Sequence, residues 1–319
     1  MFMSVLDFFG RHPVGTAICV IVVLWLAGVQ AYNAINLEPG EARISKTLES
    51  IEDIAAGKTA SDLNEARHFA ALSALVYGEP DERGVFQLKH EPGNCRLKPL
   101  LGEWIQFPVP DGILEAAMKR LGKKAKWDSD LVLGLWYREK SQTDIDVALV
   151  FRGTDGNGDF YSNFRWVTRL LPFGWDQYDL TRAISQDIVD KIKEDKHFAG
   201  KSIEVIAAGH SLGGGLAHQA GYAAFDIKRV YAFHSSSVTG YYDLDRDVRD
   251  KNRMGMRIYR IHERGEVLAY LRTLMGLIYP VVEKDPQIIE ITYNFSNGNA
   301  VTQHSIASMA CALIETHPT

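Results

Sequence analysis

A glycine-rich turn between an apolar run and a run of small residues constrains the fold of this chain more than any other feature. Residues 202–208 (SIEVIAA) are short, β-rich and largely apolar, as is typical of a strand buried on both faces. Gly209-His210-Ser211-Leu212-Gly213 follows directly, and residues 212–225 are compatible with a helix. In that context the serine sits on a tight strand-to-helix turn with its hydroxyl exposed. Ser211 is therefore a candidate nucleophile, the alternative being a simple glycine-rich turn.

The remaining pattern predicts an α/β fold. Apolar runs at 131–138 and 145–151 indicate a hairpin or adjacent strands, and those at 229–233 and 256–261 indicate two more. Residues 181–196 show helical spacing of apolar positions. Strands that alternate with helices favour a mostly parallel sheet with flanking helices. Prolines dominate residues 79–126, which we expect to be mostly irregular apart from a short helix over Ile113–Leu121.

Charge and cysteine content narrow the possible partners. The net charge of the 319 residues is -5, and no long basic run is present, which argues against a nucleic-acid partner. The basic cluster at 119–126 is interpreted as a solvated helix end rather than a docking patch for acidic lipids. Cys19, Cys95 and Cys311 lack metal-ligand spacing. Cys95 and Cys311 can pair only if the fold brings them together.

An uncharged segment near the N-terminus predicts a membrane anchor. No charged residue lies between Arg11 and Glu38, and residues 14–29 are almost wholly apolar. Extended to Asn33, the stretch approaches the roughly 20 residues that a bilayer-spanning helix needs. A cleaved signal peptide, with a small-residue cleavage site at 29–31, and a buried core helix are the alternatives.

This interpretation divides the chain into three parts. Residues 1–33 are the expected anchor, residues 34–66 a juxtamembrane linker and helix, and residues 67–319 the α/β domain. The expected localisation is a membrane with a single-pass N-terminal anchor. An extracytoplasmic α/β domain is preferred over a cytoplasmic one.

GHSLGG begins at Gly209, and Phe151-Arg152-Gly153-Thr154 (FRGT) lies upstream of it. Together these two motifs resemble the class 3 lipases. The resemblance extends from about residue 68 to the C-terminus and depends on four short motifs. It implies the α/β-hydrolase fold and the hydrolysis of acylglycerol or phospholipid esters. It also implies an oxyanion hole formed by the amides of Thr154 and Leu212, whereas FRGT by itself is compatible with an ordinary turn.

A serine nucleophile needs a general base, and His304 is the preferred one. His304 follows Ser211 in the chain and opens a predicted helix over 305–314. Gln303-His304-Ser305-Ile306 is also similar to the terminal histidine motif of the class 3 lipases. A structural polar contact is the alternative role for this histidine.

The acid of such a site lies between the serine and the histidine in chain order. The family usually has Gly-Asp followed by an apolar residue or proline, so the resemblance assigns the acid to Glu266 in Gly265-Glu266-Val267. Glutamate departs from the usual aspartate, and Glu263 is the first alternative, with Asp243 and Asp245 behind it. The Gly-x-Pro that the family has after the preceding strand is replaced here by 233–237 (FHSSS), which leaves the role of His234 unexplained.

Residues 160–173 (FYSNFRWVTRLLPF) lie where lipases of this family often carry an amphipathic lid. Phe164, Trp166 and Leu170 belong to an apolar stripe in this segment. Such a stripe is equally consistent with a core element.

The leading hypothesis is a membrane-associated serine ester hydrolase that cleaves lipid carboxylic esters, as a phospholipase A or an acylglycerol lipase, through an acyl-enzyme. It requires no metal and no organic cofactor, and its partners are a lipid ester substrate and the membrane. No protein partner is indicated. The alternatives are a soluble ester or thioester hydrolase and a membrane-tethered interaction protein with a relic hydrolase fold. A bacterial lipase toxin is compatible with the sequence but not required by it.

Overall fold

A computed structural model of the chain describes residues 28, 42–46, 57–89, 95, 97–122, 131–153, 176–269, 272, 286–295 and 299–316. Its centre is an eight-stranded sheet. The strands are β1 (Ala42–Lys46), β2 (Ile105–Phe107), β3 (Leu133–Glu139), β4 (Asp144–Phe151), β5 (Ser202–His210), β6 (Ile227–Phe233), β7 (Arg257–Glu263) and β8 (Gln287–Tyr293). The α-helices are α1 (Lys58–Leu75), α2 (Leu97–Leu101), α3 (Ile113–Leu121), α4 (Asp176–Glu194), α5 (Leu212–Ala223), α6 (Arg246–Asn252) and α7 (Ile306–Thr316). Short 3₁₀ helices span Lys196–Phe198, Tyr241–Asp243 and Thr302–His304.

The strand order β1-β8-β7-β6-β5-β4-β3-β2 confirms the predicted mostly parallel sheet. Strands β4 to β8 run parallel to one another, while β1 pairs antiparallel with β8, and β2, β3 and β4 are joined by antiparallel pairings. Because parallel strands end at the same edge, the loops after β5, β6 and β7 meet there. This edge carries the candidate site.

Both faces of the central strands are largely buried, which explains the continuous apolar runs in the sequence. On one face, side chains such as Ala148 and Ala208 belong to a core shared with α1 and α7. On the other face, their neighbours Leu149 and Ala207 pack with α4 and α5. The alternation of side chains along each strand assigns successive residues to the two cores. Helices therefore cover the sheet on both sides, as predicted.

A buried ion-pair cluster anchors α1 on the sheet. Asp62 on α1 lies 3.1 Å from Arg229 on β6 and 3.1 Å from Arg257 on β7. Tyr259 also donates a hydrogen bond to Asp62. Buried charges are tolerated when they are paired in this way. The cluster fixes α1, which leads directly to Tyr77 at the candidate site.

The cysteine pairing that the sequence left open is formed. Cys95 and Cys311 make a disulfide with their Cα atoms 5.5 Å apart. Cys311 lies on α7, the helix that follows His304. The disulfide therefore ties the C-terminal helix to the segment before α2.

The prediction of an N-terminal transmembrane helix, and of a single-pass membrane localisation, is wrong. In the part of the chain that the structure describes, no helix combines the length and the apolar character needed to cross a bilayer. A crossing takes about 20 consecutive, mostly apolar residues. The longest helices, α1 with 18 residues and α4 with 19, each carry several charged side chains. Residues 1–27 and 29–41, where the anchor was expected, lie outside the described residues.

The segment 34–66, expected as a linker and helix, contributes to the domain itself. Residues 42–46 form the edge strand β1, which pairs with β8 from Ala42 opposite Tyr293 to Lys46 opposite Ile289. Helix α1 begins at Lys58, inside this segment, and continues to Leu75. The strand was not expected, because an edge strand has one open side and needs no continuous apolar run.

Candidate active site

Ser211 occupies the turn between β5 and α5 in a conformation that few residues adopt. Its φ of 58° and ψ of -123° lie outside the regions favoured by L-amino acids. The backbone around it is held firmly. Ser211 N–H donates to the carbonyl of Phe233 at 2.9 Å, and the Ser211 carbonyl accepts from Ser236 N–H at 3.0 Å. Strain of this kind persists only where the surroundings fix it, and it projects the serine side chain at the edge of the sheet.

Two glycines let the end of β4 approach this turn closely. A Cβ at Gly213 would lie 2.2 Å from the carbonyl oxygen of Phe151. A Cβ at Gly153 would lie 2.6 Å from the carbonyl oxygen of His210 and 3.2 Å from the Cβ of Ser211. The absence of side chains there brings the Arg-Gly segment against the serine. Thr154, the next residue, lies outside the described residues.

Leu212 is the first residue of α5. The first N–H groups of a helix have no intrahelical acceptor, and the helix dipole adds partial positive charge at that end. The Leu212 amide is therefore suited to hold a negatively charged oxygen beside Ser211.

His304 and Glu266 form a close pair beside the turn. His304 Nδ1 lies 2.6 Å from Glu266 Oε2. The His304 side chain is 19% exposed, and that of Glu266 is fully buried. Because an ionised carboxylate only accepts hydrogen bonds, Nδ1 carries the proton and Nε2 is left as the basic nitrogen. The His304 ring centroid lies 4.8 Å from that of His210, the residue directly before Ser211.

Glu266 is held as a carboxylate despite its burial. Burial raises the pKa of Glu266, but the Arg272 guanidinium and the hydrogen bond from His304 outweigh it and hold this pKa well below its usual range. Leu268 N–H donates to Glu266 Oε2 at 2.9 Å. Arg272 pairs with Glu266 Oε1 and donates from Nη1 to the Ser235 carbonyl at 3.0 Å.

The other carboxylates weighed from the sequence have different surroundings. Glu263, at the end of β7, accepts a hydrogen bond from Phe295 N–H at 2.8 Å. Asp243 lies in a short 3₁₀ helix, and its backbone carbonyl accepts a hydrogen bond from the Arg182 guanidinium. Asp245 is the N-cap residue of α6. The carboxylate that the structure brings to His304 is that of Glu266.

A chain of hydrogen bonds joins three parts of the site. His210 Nε2 lies 2.8 Å from the His304 carbonyl, which can only accept, so Nε2 carries the proton. His210 Nδ1, 2.8 Å from the Tyr77 hydroxyl, is then an acceptor. The Tyr77 oxygen in turn accepts from Gly153 N–H at 3.1 Å. Tyr77 and His210 therefore connect the end of β4, the serine turn and the backbone of His304.

His234 completes a cluster of three histidines. It has a φ of 42° and is fully buried, and neither ring nitrogen has a hydrogen-bond partner among the described residues. Burial holds its pKa well below the ordinary histidine value, so the ring is neutral. Ring nitrogens of His210, His234 and His304 lie within 4.8 Å of one another, close enough to share a metal ion. Both nitrogens of His210 and Nδ1 of His304 already have protein partners.

Solved lipase structures are similar to this chain at low identity. MDLA from Penicillium cyclopium, in a mutant form, is 18% identical with a TM-score of 0.42, covering 68% of this chain and 76% of that one. The native Rhizomucor miehei lipase propeptide complex is 13% identical with a TM-score of 0.38, covering 74% and 68%. Nonglycosylated LIP2 lipase of Yarrowia lipolytica is 15% identical with a TM-score of 0.39, covering 71% and 76%. No protein-family model matches the sequence, and no curated protein matches it significantly.

Sequence reasoning found some of these residues and missed others. Arg272 was missed, because nothing in its local pattern distinguishes it from a surface arginine. Tyr77 was not assigned to the site from the sequence, although it contacts two parts of it. The expected lid at 160–173, with Phe164, Trp166 and Leu170, lies outside the described residues.

Proposed function

We propose that this protein is a serine ester hydrolase that cleaves carboxylic esters of lipids through an acyl-enzyme. The observation that carries the proposal is the buried Glu266–His304 pair, at 2.6 Å, beside a serine held in a strained strand-to-helix turn. A serine, a histidine and an ionised carboxylate are the three groups that catalyse acyl transfer in serine hydrolases. The strained turn supports the proposal because a folded chain retains unfavourable backbone geometry chiefly at functional positions.

In the proposed first step, Ser211 Oγ attacks the ester carbonyl carbon while His304 Nε2 accepts the hydroxyl proton. The carbonyl oxygen becomes an oxyanion, held by the Leu212 amide and the amide of Thr154. The C–O bond to the alcohol then breaks, and His304 returns the proton to the leaving alkoxide. The products are the free alcohol and an acyl group on Ser211.

In the second step, water attacks the acyl carbon while His304 Nε2 takes a proton from it. The bond from the acyl carbon to Ser211 Oγ then breaks, His304 returns the proton to Oγ, and the carboxylic acid leaves. Glu266 stays ionised throughout and stabilises the imidazolium that forms in each step. The neutral state of His210 and His234 suits this chemistry. Burial lowers the pKa of both rings, to about 3 for His210, so neither adds positive charge beside the imidazolium.

A substrate panel with a matched serine control tests the proposal. The wild type is expected to release acid from phospholipid or acylglycerol vesicles and from short-chain esters, and Ser211→Ala is expected to release none. Ser202→Ala is the control, because Ser202 is an exposed serine at the opposite end of the same strand β5. Equal rates in Ser211→Ala and wild type would overturn the proposal.

The same panel separates the substrate classes. A rate that rises sharply when a short-chain ester passes its solubility limit supports a lipid substrate. A rate that follows simple saturation through that limit, with no vesicle hydrolysis, assigns the site to soluble esters instead.

A further inference from the structure

Arg272 makes contacts at the candidate site that neither the sequence nor the proposed mechanism accounts for. Its side chain is 9% exposed and pairs with the fully buried carboxylate of Glu266. Its Nη1 also donates to the Ser235 carbonyl at 3.0 Å. A buried arginine on a carboxylate that already has a histidine partner is a costly feature, because both charges are removed from water. Two contributions of Arg272 to the site offset this cost, one geometric and one electrostatic.

The first contribution is geometric. Glu266 uses one oxygen for Arg272 and the other for His304 and for Leu268 N–H. Both carboxylate oxygens of Glu266 are therefore fixed. The glutamate side chain is longer than that of an aspartate, but these contacts keep it from rotating away from the imidazole. Arg272 also connects this carboxylate to the loop after β6, where Ser236 N–H donates to the Ser211 carbonyl at 3.0 Å. The acid and the serine turn are thereby held to the same loop.

The second contribution is electrostatic. A carboxylate beside an imidazole favours the protonated ring, which cannot act as a base. A guanidinium on the other oxygen offsets part of that negative charge. The effect is large in a buried site because the effective dielectric is low.

Among the described ionisable groups around the Glu266–His304 pair, Arg272 is the one that offsets the charge of the carboxylate by direct contact. The others come from the strands packed against the pair: His210 from β5, His234 after β6, Arg260 and His262 from β7, and Glu290 from β8. Burial lowers the pKa of each of the first two histidines and brings the pKa of His262 to about 4, so these rings are neutral near pH 7. Among the described residues, Arg272 is the cation in direct contact with Glu266.

We propose that Arg272 is a positioning residue of this site: it fixes the ionised Glu266 against His304 and offsets the carboxylate's charge, so that the site works at lower pH than a Glu–His pair alone would allow. The proposal deepens the serine hydrolase function proposed above and rests on it. It assigns to Arg272 an effect on the pH range of the reaction, which a purely structural arginine would not have.

The test is the pH dependence of kcat/KM for a short-chain ester in three variants. Arg272→Gln keeps hydrogen-bond donors but loses the charge, Arg272→Met loses both, and Arg272→Lys keeps the charge. The acid limb is expected to move to higher pH by about one unit or more in the Gln and Met variants. It is expected to stay near the wild-type position in Arg272→Lys. Arg246→Met is the control, because that arginine is 83% exposed on α6.

Two outcomes would overturn the proposal. One is an acid limb that stays in place in Arg272→Gln while the rate falls equally at every pH. The other is an equal shift of the limb in Arg272→Lys and Arg272→Gln. If Arg272→Met does not fold, as judged by its unfolding transition, the Gln and Lys variants decide the question.

A measurement that needs no catalysis separates this proposal from the proposed function. In the Ser211→Ala background, the Nδ1–H resonance of His304 is compared by NMR with and without Arg272→Gln. This resonance is expected to move when Arg272 is replaced, because the carboxylate that accepts from Nδ1 is then no longer held on its other oxygen. A change in this resonance without Ser211-dependent hydrolysis would refute the hydrolase and keep the role of Arg272, whereas hydrolysis with an unchanged resonance would keep the hydrolase and refute the role of Arg272.

Discussion

His304 Nδ1 lies 2.6 Å from Glu266 Oε2, and the Glu266 side chain is fully buried. This contact fixes the tautomer of the imidazole and leaves its other nitrogen basic. Glu263, three residues earlier, is bound instead by the Phe295 amide. Two glutamates close in sequence thus have separate surroundings.

The first prediction follows from that difference. Glu266→Gln is expected to lower kcat by on the order of 10²–10⁴-fold, because an amide does not stabilise the imidazolium and favours the wrong tautomer. Glu263→Gln is the matched control and is expected to keep most of the activity. Steady-state kinetics on a soluble ester give kcat for both variants. A large loss in Glu263→Gln with normal activity in Glu266→Gln would reassign the acid to Glu263.

Tyr77 gives a second prediction. Tyr77→Phe removes the hydroxyl that accepts from Gly153 N–H and donates to His210, leaving buried polar groups without that partner. The value of kcat is expected to fall by on the order of 10-fold, with a smaller change in KM. Tyr242→Phe serves as the control, since Tyr242 is 73% exposed. An unchanged kcat in Tyr77→Phe would show that the hydrogen-bond chain does not support the reaction.

The third prediction concerns stability in acid. Burial lowers the pKa of His68 and His210 to about 3 and of His262 to about 4, and it lowers the pKa of His218 and His234 as well. Below pH 6.5 the unfolded chain binds protons at these positions while the folded chain does not. Each histidine therefore contributes stability that is present above its unfolded pKa and is lost as the pH falls towards its folded pKa, by up to about 1.4 kcal/mol per pH unit.

The measurement is the free energy of unfolding between pH 7 and pH 4. We expect the free energy of unfolding to fall steeply as the pH is lowered. The fall is expected to be less steep in His218→Asn, because that variant lacks one buried ring that takes up a proton on unfolding. His197→Gln replaces an exposed histidine and is expected to leave the slope unchanged. A flat profile across this range would contradict the assignment of neutral, buried rings.

The disulfide provides a fourth prediction. Cys95 and Cys311 are 216 residues apart in sequence, so their bond restricts the unfolded chain strongly. The double variant Cys95→Ser/Cys311→Ser is expected to lose on the order of 2–5 kcal/mol of unfolding free energy. Denaturant unfolding of wild type with and without reductant gives the same comparison. Identical curves would mean that the bond does not form or does not stabilise the fold.

Local patterns in the sequence predicted the sheet well where a strand is buried on both faces. The run at 202–208 became β5, which continues to His210, and the run at 145–151 became β4 from Asp144. Helix α3 has the predicted bounds, Ile113–Leu121. Strand β1 was missed because an edge strand is short and half open to solvent, so its sequence carries no continuous apolar run.

The candidate site was predictable only where its residues belong to local motifs. Ser211 was identifiable from a turn that needs glycines on both sides, and Glu266 and His304 from motifs after the later strands. Arg272 and Tyr77 reach the site through tertiary packing, which no pattern within a few residues encodes. The anchor prediction rested on the apolar run at 14–29, of which the structure describes only residue 28.

Fluorophosphonate labelling tests the central claim most directly, because the reagent phosphonylates an activated serine and needs no knowledge of the substrate. Wild-type protein is expected to take up one label per chain, and peptide mass spectrometry is expected to place it on Ser211. Labelling is expected to disappear in Ser211→Ala and to slow strongly in His304→Gln, with both variants still folded. A label on another residue, or undiminished labelling of Ser211→Ala, would contradict the account.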